Sequence, residues 1–168
     1  MALTFLRHTT PDVVKGMCYG RTDLGLALTF EDELARVLDG LPDFGAIVCS
    51  PLVRCRTLAE RVGQAAKREV RVLQGLTEMD FGAWEMVPWS DIPRDQLDVW
   101  AEDFMGARPH GGESVQMLQD RVGGTLDDLP EDTLVVTHSG VIRAAAAIHG
   151  HPDGWEIDIT YGGWVQLG

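Results

Sequence analysis

Two short runs of β-favouring apolar residues each end in a histidine, and this repetition restricts the fold more than any other feature of the chain. Leu3-Thr4-Phe5-Leu6 runs into Arg7-His8-Thr9-Thr10-Pro11, and Thr133-Leu134-Val135-Val136-Thr137 runs into His138-Ser139-Gly140. Neither run contains Gly or Pro, and both read as buried strands. Pro11 stops regular structure after the first. An Ala-rich helix over residues 141–148 starts directly after the second. Residues 46–49 read as a further buried strand and residues 70–73 as a third strand, with helical spacing between them. Strands alternating with helices imply a mostly parallel sheet covered on both faces, an α/β architecture of three layers. In such sheets ligands bind at the carboxyl ends of the strands, where both histidines fall.

The helices carry start and stop signals. Thr29, with Asp32 three residues on, reads as an N-cap before Phe30, Leu34, Val37 and Leu38, and Gly40 and Pro42 end that helix. Ser50-Pro51 reads as a cap followed by Pro at the first helical position, before an apolar stripe of Leu52, Cys55, Leu58, Ala59, Val62 and Ala66. Pro93 opens a helix bearing Leu97, Trp100 and Phe104, and Ser114 caps one bearing Val115, Leu118, Val122 and Leu126. Trp84, Trp89 and Trp100 are either core or, in part, the cap of a pocket. Residues 156–161 alternate as a half-exposed strand does, paired in a hairpin with a last strand over 163–167.

The 168 residues fit one domain with a sizeable core. A net charge of −12, from 26 acidic and 14 basic residues, argues against nucleic acid and anionic membranes as partners. It also requires that any anionic substrate meet a local concentration of cations. No apolar run approaches the ~20 residues of a membrane span, and the first residues lack the basic n-region of a signal peptide. Cys18, Cys49 and Cys55 are an odd number without framework spacing, which points to free thiols and a cytoplasmic protein. Monomer and homodimer both remain open.

Several polar residues converge on the same sheet edge. Arg7 offers a planar cationic fork for phosphate or carboxylate, and His8 an imidazole able to act near neutral pH. Arg54 lies in the first turn of a helix, beside free backbone N–H groups that favour an anion. Ser139 and Gly140 let an anion approach a second helix start. Glu78 lies in a loop, residues 74–85, that mixes acids and aromatics; a carboxyl desolvated there would suit a general acid. Two arginines, two histidines and two helix N-termini form a receptor for a phosphoryl group. A zinc site is a weaker reading, because the arginines repel a cation and no Cys or carboxylate has matched spacing. His149 and His151 read as an exposed turn.

These segments together resemble the histidine phosphatase superfamily, the phosphoglycerate mutase-like proteins. Arg7-His8-Thr9 stands where that family has Arg-His-Gly. Residues 50–59 resemble its second motif, with Arg54 as the arginine. Residues 76–85 resemble the segment supplying the acid, which falls on Glu78. Gly112-Glu113-Ser114 matches its Gly-Glu-Ser, and residues 136–143 resemble the segment of the second histidine. The resemblance implies a single phosphatase domain over residues 1–168, with a three-layer α/β/α sandwich and a mostly parallel central sheet. It implies a phosphomonoesterase in which His8 forms a phosphohistidine and Glu78 is the acid. Arg7, Arg54, His138 and Ser139 bind the phosphoryl group, with Arg21 as a further candidate contact. The arginines and His138 supply the positive charge, so neither a metal nor another cofactor is expected.

Residues 18–23 and the short length are most similar to α-ribazole phosphatases, which act in assembly of the cobalamin nucleotide loop. A broad sugar-phosphate phosphatase, a phosphoglycerate mutase and an inactive phosphate-binding module are the alternatives. Three departures stand out: Thr9 and Met86 replace family glycines, and the substrate-capping insertion is short.

Overall fold

A computed structural model describes residues 2–168. Among these residues five strands form one sheet in the order β3-β2-β4-β1-β5: β1 Leu3–Arg7, β2 Ala46–Cys49, β3 Val70–Val72, β4 Thr133–Thr137 and β5 Trp164–Leu167. The first four are mutually parallel and β5 runs antiparallel along β1. Side chains alternate between the faces. Phe5, Val48 and Val135 pack under helices α4 (Val115–Leu126) and α5 (Ser139–Ile148). Leu6, Ile47, Leu134 and Val136 pack under α1 (Phe30–Gly40) and α2 (Val53–Ala66). The result is the expected sandwich.

The switch in strand order places the carboxyl ends of β1 and β4 side by side, with Arg7 in register with Thr137. The ladder runs one residue further on both sides of β4. The His8 amide donates to the Thr137 carbonyl at 3.0 Å, and that of Ser50 to the Val136 carbonyl at 3.0 Å. His8, His138 and Ser50 are thereby set by backbone pairing on one edge.

Four local expectations differ from what is observed. Helix α2 starts at Val53, not at Pro51. The Ser50 hydroxyl is hydrogen-bonded to His138 Nε2 at 2.7 Å and accepts from the Leu52 amide at 3.3 Å. The exposed first amide of α2, that of Val53, instead donates to the Asp23 carboxylate at 2.9 Å. Thr29 makes no side-chain cap bond, because its hydroxyl donates to Glu33 at 2.7 Å. Residues 156–161 are not a strand: a 3₁₀ turn at Gly154–Glu156 is followed by irregular chain. Among the described residues the outer edge of β5, the last strand of the sheet, stays unpaired, and side chains take the carbonyls of this segment instead. Arg143 donates to Ile157 and Arg7 to Ile159.

Helix α3 (Arg94–Glu102) ends before Phe104. Among the described residues no helix is long and apolar enough to cross a membrane, and Cys18, Cys49 and Cys55 are free and buried.

Candidate active site

His8 directly follows β1 and is almost wholly buried. Its Nδ1–H donates to the Thr9 carbonyl at 2.7 Å. That bond fixes the tautomer and leaves Nε2 with a free lone pair. Burial, then the charges of Arg54 and Arg7, lower its pKa to about 3, so the imidazole is neutral at working pH. Thr9 needs no left-handed backbone here, so the turn tolerates a residue other than glycine.

His138 follows β4, fully buried, its ring centroid 5.2 Å from that of His8. Burial first, then His8 and the two arginines, hold its pKa well below the usual imidazole value. His138 is therefore held neutral by its surroundings, and Arg7 and Arg54 carry the fixed positive charge. The Cys55 thiol packs 3.4 Å from His138 Nε2, and burial raises its pKa well above the ordinary thiol value.

The two guanidiniums are held alike. Arg7 donates to the Ile159 carbonyl at 2.7 Å and lies 4.1 Å over the Tyr161 ring. Arg54, fully buried, donates to the carbonyls of Thr22 (2.7 Å) and Gly20 (2.6 Å) and faces Tyr19 at 5.3 Å. The two tyrosine hydroxyls share a 2.7 Å hydrogen bond. In each arginine Nε–H is buried and has no hydrogen-bond partner among the described residues. A buried donor left unpaired is costly, and an oxyanion accepting from such an N–H would offset that cost.

Glu85 secures the loop that holds Arg54. Its carboxylate accepts from the amides of Gly20 (2.8 Å) and Arg21 (2.7 Å) and from the Thr22 hydroxyl (3.1 Å). A Cβ at Gly20 would lie 1.9 Å from the Met79 carbonyl oxygen, so only glycine fits. The Arg21 side chain is half-exposed and lies 4.0 Å from Glu113, outside the cleft lining.

Glu78 is buried above the start of α5. Its carboxyl accepts from the amides of Met79 at 2.9 Å and Gly140 at 3.0 Å. Desolvation nonetheless raises its pKa, outweighing those bonds and the attraction of Arg54 and Arg7. Arg7, His8, Glu78, Ser139 and Gly140 form the floor of a cleft of about 670 Å³. Its wall is aromatic, from Phe81, Trp89, Trp100, Phe104, Trp155 and Tyr161, with Lys15 and Arg143 as further cations. Arg54 and His138 lie beneath this floor. Among the described residues no three His, Cys, Asp or Glu side chains are grouped to hold a metal.

The family model of the histidine phosphatase superfamily (branch 1) matches residues 3–167. The chain belongs to that superfamily. Within this superfamily of phosphatases and mutases, it is 28% identical to the adenosylcobalamin/alpha-ribazole phosphatase of Escherichia coli, over 99% of this chain and 89% of that one. Among solved structures, a phosphoglycerate mutase from Thermus thermophilus superimposes with a TM-score of 0.81 at 30% identity, covering 99% of this chain and 92% of that one. A mycobacterial glucosyl-3-phosphoglycerate phosphatase does so with 0.80 at 26%, covering 98% and 88%. Against the histidine phosphatase pattern, Met86 is the departure with a structural cost. Its φ of 60° lies in the left-handed region that glycine adopts freely.

Sequence reasoning did not find Tyr19, Tyr161, Arg121 or the clamp made by Glu85. Their only signal is spatial: each acts on a partner more than 40 positions away, except the pairing of Arg121 with Glu113.

Proposed function

We propose that this chain is a phosphomonoesterase working through a phosphohistidine on His8 Nε2, with α-ribazole 5′-phosphate as its preferred substrate. One observation carries the reading. A neutral imidazole with a free Nε2 lies in the field of Arg54 and Arg7, each of which has a buried Nε–H without a partner among the described residues.

In the first step Nε2 attacks phosphorus in line, forming the N–P bond as the ester P–O bond breaks. Glu78, whose proton persists above the ordinary carboxylate range, gives that proton to the leaving alkoxide. In the second step water attacks phosphorus, Glu78 takes its proton, the P–N bond breaks and inorganic phosphate leaves. Arg7 and Arg54 stabilise the equatorial oxygens with donors already in place, and Ser139 and the start of α5 add backbone dipoles. His138 supports the group as a neutral donor.

The aromatic wall supports a substrate with a large, flat, apolar alcohol, such as a benzimidazole nucleoside. The name of the Escherichia coli relative supports the same choice. A second reading, a phosphoglycerate mutase or sugar-phosphate phosphatase, is favoured by the names of the solved relatives and by Lys15 and Arg143, which suit a second anion.

The test compares kcat/KM for α-ribazole 5′-phosphate, 3-phosphoglycerate and p-nitrophenyl phosphate, with vanadate as inhibitor. A preference for the first supports the proposal, and a preference for 3-phosphoglycerate supports the second reading. Turnover should trap an acid-labile, base-stable phosphoprotein that His8→Ala lacks. Turnover of p-nitrophenyl phosphate by His8→Ala at wild-type rates would remove His8 as nucleophile.

A further inference from the structure

Glu78 sits in a segment with little regular structure: one 3₁₀ turn, Gln74–Leu76, precedes it. Something outside the segment must fix it. Arg121, on α4, reaches across with its whole fork. Its Nη1 donates to the carbonyls of Gly75 and Thr77, both at 2.8 Å. Its Nε and Nη2 donate to the two oxygens of Glu113, at 2.9 and 2.8 Å. Glu113 in turn holds the far side of Glu78: its amide donates to the Asp80 carbonyl at 2.8 Å, and its Oε1 lies 3.4 Å from the Asp80 amide. Gly75 is pressed so close to α4 that a Cβ there would lie 1.9 Å from Thr125 Oγ1. The backbone is thus gripped at positions 75 and 77 before Glu78 and at position 80 after it. Neither Arg121 nor Glu113 lines the cleft.

We propose that Arg121, oriented by Glu113, is a positioning residue that holds the Glu78 carboxyl at the leaving-group oxygen. The proposal rests on the reading of Glu78 as proton donor. It gives the Gly-Glu-Ser segment a part in the chemistry. Two carbonyls and a bidentate carboxylate require a planar set of donors, which lysine cannot supply.

The test measures kcat/KM, which reports the step that forms the phosphoenzyme, on 2,4-dinitrophenyl phosphate and on an alkyl phosphate. The first leaving group needs no proton and the second does. Arg121→Lys should lose about tenfold more on the alkyl ester than on the dinitrophenyl ester, as a misplaced acid requires. Glu113→Gln, which leaves the fork with a weaker partner, should show the same selectivity and serves if Arg121→Lys does not fold. Adding Arg121→Lys to Glu78→Gln should change the alkyl rate by less than about twofold, because both act through one carboxyl. Selective loss in Glu78→Gln with uniform loss in both other variants overturns the proposal alone, as does a double variant whose losses multiply. Uniform loss in Glu78→Gln itself overturns the reading of Glu78 as donor, and the proposal with it.

Discussion

Gly140 is the second residue of α5, and its lack of a side chain is what lets the acid reach the site. A Cβ at that position would stand 2.3 Å from Glu78 Oε1 and 3.0 Å from its Cδ, where ordinary contact begins at 3.4 Å. In Gly140→Ala the carboxyl therefore retreats by about 1 Å and gives up the 3.0 Å bond from the Gly140 amide. A displacement of about 1 Å in a reacting group costs on the order of 10²-fold in rate, or about 2.7 kcal/mol of barrier. The backbone itself does not resist the change. Gly140 has no positive φ, and alanine is favoured over glycine in a helix by about 0.5–1 kcal/mol. Stability and activity should therefore separate: Tm within a few degrees of wild type, with kcat/KM for an alkyl phosphate down about a hundredfold. An activated aryl phosphate should lose much less. The assay pairs thermal unfolding with steady-state kinetics on both esters. Wild-type kcat/KM on the alkyl ester, or equal loss on both, would refute the placement of the acid.

The remaining expectations concern charge, packing and strain. The unfolded chain protonates His8 near 6.5 and the folded chain only near 3, so the unfolded state binds more protons between those values and stability falls as pH drops through that window. Between pH 7.5 and 5 His8 alone should remove about 2 kcal/mol, so denaturant unfolding of His8→Asn should lose that much less than wild type; identical pH dependence would count against the buried neutral imidazole. Glu85→Gln weakens the acceptor for the Gly20 and Arg21 amides and should raise the Ki for vanadate about tenfold through Arg54, a shift of about 1.4 kcal/mol; an unchanged Ki would disconnect the two. Trp89→Ala removes one aromatic face of the cleft and should raise KM for α-ribazole 5′-phosphate about tenfold while leaving that for p-nitrophenyl phosphate within about twofold. Met86→Gly relieves a left-handed φ of 60° and should stabilise the fold by about 1 kcal/mol, read as a rise in denaturant midpoint.

The strands that carry the histidines were legible because each is a short apolar run whose period and bounding residues admit no other structure. Residues 133–137 are observed as read and the first strand spans Leu3–Arg7, and parallel pairing then brings His8 and His138 together. Misreadings arose where a side chain serves a distant partner. Ser50 resembles a cap locally, yet its hydroxyl is committed to His138, 88 positions away, and Asp23 takes over at the helix start. Residues 156–161 alternate because Ile157 faces the core while its neighbours do not. Alternation records burial on one side, and a strand also requires backbone pairing, whereas here the Ile157 and Ile159 carbonyls accept from arginine side chains. The general environment of Glu78 was readable, but its desolvation depends on α5 closing over it.

The thiol of Cys55 lies against a site imidazole with no exposure to solvent. Reagents such as maleimides or disulfides need a thiolate and a path to it, and the native protein supplies neither. Inactivation by them should proceed only as fast as the layer between α2 and the sheet breathes open. The rate at which activity disappears under excess reagent then becomes a clock for that opening, and an inhibitor bound in the cleft should slow the clock in proportion to the stability it adds.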